Sequence, residues 1–292
     1  MQLEEKLRKG RFVVLGEMET PKGSDFSRLI KNARMVKGRM DSFVIPEMPN
    51  AVMKASSLSG CAFLQCHGFD TILQVCCRDR NRLALQADIL GAAALGVSTF
   101  MAVPGEEIGY GDHHQARSVK DLDLDQLLGL FQVLNGGRDM AGVELEGAPP
   151  ILTVGSIFNA GVSGGALDVE LEKLDGMIQA GVRFVVTTPL FDPSRLEQLL
   201  KRIDLSRVSV IPTVLLLKSA GMARYIDRNI RHISIPADTI QTIQKAGDTV
   251  QEAVRIAGGL VRLIREMGFP GALVSTVGWE DKLPRVLDAA RI

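Results

Sequence analysis

Three glutamates stand where apolar stretches of this chain end. Glu17 closes Phe12-Val13-Val14-Leu15-Gly16, Glu47 follows Phe43-Val44-Ile45-Pro46, and Glu106 follows Met101-Ala102-Val103 by way of Pro104-Gly105. A carboxylate at the end of a buried strand is costly to ionise, so its presence there points to acid–base work. If the three share one face, like charges and burial raise a pKa and leave a carboxyl able to act as a general acid near neutral pH. Glu17 is the foremost candidate, because Thr20-Pro21-Lys22-Gly23 stops the strand just behind it. For Glu47 and Glu106 the competing reading is structural, a helix cap or an arginine partner. A second constellation, Gly109-Tyr110-Gly111-Asp112-His113-His114-Gln115-Ala116-Arg117, holds two of the four histidines beside an aspartate. Adjacent histidines point to different sides of the backbone, so a shared metal ion needs an unusual loop geometry. A polar loop covering a planar cofactor, with Tyr110 or a histidine stacking on it or bonding to it, is the preferred reading. Cys77-Arg78-Asp79-Arg80-Asn81-Arg82 opens a helix and either holds an anion at free backbone N–H groups or is an Asp79 N-cap among surface arginines. Cys76 and Cys77 read as packing residues.

These residues need elements to position them. Short apolar or β-branched runs recur at 11–17, 42–46, 71–76, 97–103, 151–156, 183–188, 208–215 and 271–277, giving eight strand candidates. Helical spacing fills 26–36, 52–58, 82–95, 125–134, 167–180, 194–203, one long stretch over 218–267, and 279–290. Several helices run into the next strand through a glycine, as in Leu95-Gly96-Val97, Ala180-Gly181-Val182 and Met267-Gly268, a junction typical of parallel α/β structure. Eight βα units without a dinucleotide glycine fingerprint predict a single-domain (β/α)8 TIM barrel over a doubly wound sheet. In such a barrel the chemistry lies at the carboxyl ends of the strands, which collects Glu17, Glu47, Gln74, Glu106, Asn159 and Thr188 on one face. The long loops 105–123 and 158–166 lie on that face too.

The totals narrow the partners. The chain of 292 residues is 46% hydrophobic, and its 34 basic and 34 acidic side chains cancel. Without a block of one sign, nucleic acid and anionic membranes are poor partners and a small molecule is the better one. The opening Met1-Gln2-Leu3-Glu4-Glu5-Lys6 lacks the apolar core of a secretory signal, and no apolar run is long enough to span a bilayer, so a cytoplasmic protein is expected. Four cysteines without CxxC or His/Cys spacing predict reduced, mostly buried thiols and neither a structural metal nor a disulfide framework.

Taken in order, several segments resemble the methylenetetrahydrofolate reductase family of flavin-dependent (β/α)8 barrels. Glu17-Met18-Glu19-Thr20-Pro21-Lys22 follows that family's first-strand pattern. Leu73-Gln74-Val75-Cys76-Cys77-Arg78-Asp79-Arg80-Asn81-Arg82 and Leu90-Gly91-Ala92-Ala93-Ala94-Leu95-Gly96 are similar to the third-strand segment of its short members. Gly111-Asp112-His113-His114-Gln115-Ala116-Arg117, residues 135–139, Glu144-Leu145-Glu146-Gly147-Ala148-Pro149, Thr187-Thr188-Pro189-Leu190-Phe191-Asp192 and Leu217-Lys218-Ser219-Ala220-Gly221-Met222-Ala223 complete the series.

The resemblance implies reduction of the methylene bridge of methylenetetrahydrofolate to a methyl group by hydride from a reduced flavin. It makes Glu17 the acid that protonates the folate and Glu106, often aspartate in the family, the charge that favours the cationic intermediate. It assigns Gln74, Gly105, Tyr110, His113, Gln115, Ala116, Asn159, Glu170 and Lys173 to the flavin, and Thr188 and Phe191 to the folate. The chain also departs from the pattern. Thr188 replaces a pterin-contacting glutamine, Gly176 and Met177 stand where basic residues meet the flavin phosphate, and Pro46 replaces a threonine near the flavin. Leu217-Lys218-Ser219-Ala220 has no aromatic platform for a nicotinamide donor's adenine. Short members of anaerobes, which this chain resembles, take electrons from an iron–sulfur partner subunit, and a cluster would have to sit on that partner because no cysteine pattern here can hold one. FAD and FMN both remain open, as do a homo-oligomer, a flavin-free pterin-binding methyltransferase or accessory subunit of a one-carbon complex, and a purely structural subunit.

Overall fold

The computed structural model describes residues 3–292. Eight strands, β1 (Val13–Glu17), β2 (Ser42–Ile45), β3 (Thr71–Cys76), β4 (Thr99–Val103), β5 (Thr153–Phe158), β6 (Phe184–Pro189), β7 (Ser209–Leu215) and β8 (Gly271–Ser275), close into one barrel in chain order. Neighbours are parallel throughout, and β8 returns to β1 with Val13 opposite Gly271 and Gly16 opposite Val274. The expected (β/α)8 barrel is thus the observed fold.

Alternation along the strands makes two cores. Val13, Leu15, Val44, Ile72, Met101, Phe184, Val186, Ile211 and Leu273 point inward and fill the barrel. Their neighbours Val14, Phe43, Ile45, Leu73, Val75, Phe100, Val185 and Val274 point outward and pack beneath the helices. Burial on both faces explains why these strands read as continuous apolar runs. Helices α1 (Leu3–Arg8), α2 (Ser27–Met35), α3 (Ser57–Cys66), α4 (Arg82–Ala94), α5 (Leu124–Asn135), α6 (Gly165–Gln179), α7 (Pro193–Arg202), α8 (Ala220–Asn229), α9 (Ala237–Lys245), α10 (Thr249–Glu266) and α11 (Leu283–Ala290) surround them. Gly96, Gly181 and Gly268 adopt positive φ at the helix-to-strand junctions, where a side chain would be strained.

Several boundaries depart from the sequence pattern. The helix expected over 52–58 begins only at Ser57, where the Ser56 hydroxyl caps the Ser59 N–H at 3.2 Å. The preceding loop holds Met48, Asn50 and Ala51 at positive φ, which no helix accommodates. The single stretch expected over 218–267 is three helices. Pro236 and a left-handed His232 break it once, and Asp248 recaps it by accepting the Gln251 N–H at 2.9 Å. β5 runs two residues further than expected, and the last helix starts at Leu283 after a 3-10 turn, Glu280–Lys282. α1 was not anticipated. Its Leu3 joins the interior cluster with Leu7 packed against it and closes the amino-terminal end of the barrel, while Glu4 accepts the Thr153 hydroxyl at 2.7 Å.

Candidate active site

The carboxyl ends of the strands form the open mouth of the barrel, and β1 delivers Glu17 there. The Ser275 hydroxyl, at the end of β8, donates to Glu17 Oε1 at 2.8 Å. Protein packed around the carboxyl pushes its pKa up to about 7. The Ser275 hydrogen bond opposes that rise, and the negative charges of Glu19, Glu280 and Glu106 add to it. Near neutral pH, Glu17 therefore exists as both proton donor and carboxylate. Its charged neighbours differ from the trio read in the sequence: Glu19 and Glu280 take the place of Glu47. Glu19 lies within the first-strand motif without having been singled out, and Glu280 follows the last strand inside a stretch read as helix.

Glu47 is a structural hub, which bears out its structural reading. Buried at 3% exposure, it accepts the Ser57 N–H at 2.8 Å and the Ser57 hydroxyl, capping α3, and pairs with Arg80 at 2.9 Å. Its own N–H donates to Gln74 Oε1 at 2.8 Å, which fixes the Gln74 amide at the end of β3. Glu106 lies 3.4 Å from Arg78, whose buried guanidinium binds Asp79 through two bonds of 2.7 Å. Arg80 also pairs with Asp88 and Arg82 with Asp121, so all three arginines of 77–82 already have carboxylate partners. Asn81, not Asp79, caps α4 by accepting the Ala84 N–H at 3.1 Å. Cys76 and Cys77 are buried thiols with pKa values pushed up by burial to about 11 and about 12, inert as nucleophiles.

Gly105 explains the start of the fourth loop. Its φ is 82°, and a Cβ there would lie 2.3 Å from Cys76 Sγ. Further along, Asp112 ties three loops together: it pairs with Lys22 from the β1 loop, accepts the Met53 N–H from the β2 loop at 3.0 Å and contacts His113 Nδ1 at 2.8 Å. Those bonds hold its carboxyl well below the usual range. Tyr110 is 79% exposed beside this tie, and His113, Gln115 and Ala116 are exposed as well. Among the described residues no group of three His, Cys, Asp or Glu side chains could hold a metal ion.

On the opposite side, Asn159 Oδ1 accepts the Gly161 N–H at 3.2 Å and the Thr188 hydroxyl at 3.4 Å, bringing two candidates from β5 and β6 together. Two residues before Asn159, β5 carries a residue the sequence reading missed. Ile157 follows the inward-facing Gly155 by two positions and is 37% exposed near the carboxyl end of β5, so it forms apolar floor under the mouth. An isoleucine in a Val/Ile-rich strand gives no local sign of this. Glu170 and Lys173 pair with each other on α6 at 2.7 Å. Phe191 is 5% exposed and packs with Leu215 and Leu217.

In a parallel (β/α)8 barrel, a buried carboxyl at the end of the first strand stands on the face where such barrels carry their sites. The family described as methylenetetrahydrofolate reductase matches residues 2–287, and the chain belongs to that family. Among solved structures, one described as an uncharacterized protein from Clostridium thermocellum that binds two copies of 5-methyl-5,6,7,8-tetrahydrofolic acid has the same fold. Its TM-score is 0.67 at 14% identity, covering 98% of this chain and 97% of that one. Comparison with curated proteins finds no match. Among the described residues no helix is long and apolar enough to cross a membrane.

Proposed function

We propose that this protein is a cytoplasmic, flavin-dependent reductase that converts 5,10-methylenetetrahydrofolate to 5-methyltetrahydrofolate. The observation that carries the reading is Glu17, a carboxyl with a pKa near 7 at the mouth of the barrel in a chain of this family. The folate-bound structure of the same fold supports the substrate class.

A flavin ring needs an apolar face and a few amide or hydroxyl groups at its edge. Ile157 offers the first, and the partly exposed Gln74, Asn159 and Thr188 offer the second, so the residues fit the group. When bound, the flavin supplies the hydride. Tyr110, His113, Gln115 and Ala116 would cover it from the loop that begins at Gly105, and Glu170 and Lys173 would face its sugar chain. Thr188 and Phe191 would border the folate. Glu17 would donate its proton to the amine nitrogen that leaves the bridging methylene carbon. The carbon–nitrogen bond would break with its electron pair passing to that nitrogen, leaving on the folate an iminium that is electrophilic at the former methylene carbon. Glu106, held beside Arg78, would favour the cation electrostatically. Ser275 would hold the Glu17 carboxylate until it is reprotonated. Electrons would come from an iron–sulfur partner subunit, with a homo-oligomer as the alternative assembly.

A second reading is a flavin-free pterin-binding methyltransferase or accessory subunit. It is favoured by the mutual pairing of Glu170 and Lys173 and by the uncharged Gly176 and Met177 on the same helix. An anaerobic half-reaction separates the two. Protein loaded with FMN or FAD and reduced should be reoxidised by methylenetetrahydrofolate with methyltetrahydrofolate formed. A protein that binds neither flavin yet binds methyltetrahydrofolate supports the second reading.

A further inference from the structure

Several unusual features meet in the loop after β8. Val277 has a φ of 50°, a left-handed conformation that a β-branched residue rarely adopts. The adjacent Thr276 hydroxyl is fully buried without a partner. Lys218, which follows β7, donates from Nζ to the Val277 carbonyl and lies 5.3 Å from the ring centroid of Trp279. The loop begins immediately after Ser275, the partner of Glu17, and its Gly278 carbonyl accepts Arg28 at 2.8 Å.

We propose that Lys218 is a positioning residue that holds the 276–279 loop in its left-handed form and so sets the β8 rim of the mouth before a ligand arrives. Two contacts of the ammonium, a charge-assisted bond to a carbonyl and a cation–π contact with the indole, oppose the preference of valine for negative φ. A lysine supplies three N–H donors, and one is occupied by Val277. The ammonium therefore also presents fixed donors to an oxygen of a ligand at this rim. The site and the chemical class of that ligand, a reduced folate, rest on the function proposed above; the loop restraint does not.

Trp279 is the only tryptophan in the chain, so its fluorescence reports on this loop alone. Acrylamide quenching of the ligand-free protein tests the restraint. Lys218→Met should increase quenching about twofold while Lys218→Arg keeps the original value, because arginine preserves both the donor and the cation. Adding Val277→Asn to Lys218→Met should recover much of the protection, since asparagine tolerates left-handed φ. Unchanged quenching in Lys218→Met would overturn the restraint. The second arm is titration with methyltetrahydrofolate: Lys218→Met should weaken binding roughly tenfold, the loss of about one charge-assisted contact, and Lys218→Arg should restore it. Equal binding by wild type and Lys218→Met would overturn the role in positioning ligand even if the loop loosens. If the wild type binds no folate, the folate reading fails and the quenching arm alone decides whether Lys218 sets the loop.

Discussion

Glu17 joins structure and chemistry through one proton. Its folded pKa of about 7 lies above the ordinary 4.5, so between those values the folded state keeps a proton that the unfolded chain releases. Stability contributed by the protonated group is fully present below pH 4.5 and is lost as the pH rises through 7, above which the buried charge costs about 3 kcal/mol. Glu17→Gln should consequently melt higher than wild type at pH 8 and no higher at pH 4, which thermal unfolding at the two values measures. The same substitution should leave flavin and folate binding intact and abolish folate reduction, because the amide keeps the shape but has no proton to give. In single turnover of the wild type, the rate of folate reduction should be flat below pH 7 and fall about tenfold per unit above it. A level profile to pH 9 would remove Glu17 from the acid role. The position of this residue was legible because a proline and a glycine mark the strand end. Its partner Ser275 was not, since a serine 258 residues away becomes a neighbour only when β8 closes on β1.

At the level of elements, the mouth is shaped by loops that the strands hold at fixed spacing. Gly105 shows how tight the β4 loop is: Gly105→Ala would place Cβ against Cys76 Sγ and within 3.0 Å of the Arg78 Cβ, with φ at 82°. We expect it to destabilise the protein by about 2–4 kcal/mol, read as a lowered urea midpoint, because both strain and overpacking apply. Asp112 ties the β1, β2 and β4 loops from an exposed position, so Asp112→Asn should leave the urea midpoint nearly unchanged. It should nevertheless weaken flavin binding severalfold in a fluorescence titration, because three loops lose a common anchor. The 105–123 segment was readable as a functional loop from its length and polarity. The start of α3 was not, since apolar spacing at 52–58 mimics a helix while three left-handed residues just ahead of it and the Ser56 cap place the helix later.

On the scale of the whole molecule, the barrel is plugged at the end away from Glu17 by Leu3 of α1. Leu3→Ala should cost about 2 kcal/mol in chemical denaturation through the cavity it leaves, with flavin and folate binding unchanged. The number and order of strands, their parallel sense and the identity of the carboxyl face were determined by sequence alone, because apolar period, glycine junctions and turn residues are local properties of the chain. Tertiary structure alone decided which charges remain open. Closing the ring put Arg78 beside Glu106 and Arg80 beside Glu47, left Glu17 with Ser275 among further carboxylates, and uncovered Ile157. Proton affinity and accessibility depend on every group within a few ångströms, and in a barrel those groups come from strands far apart in the chain.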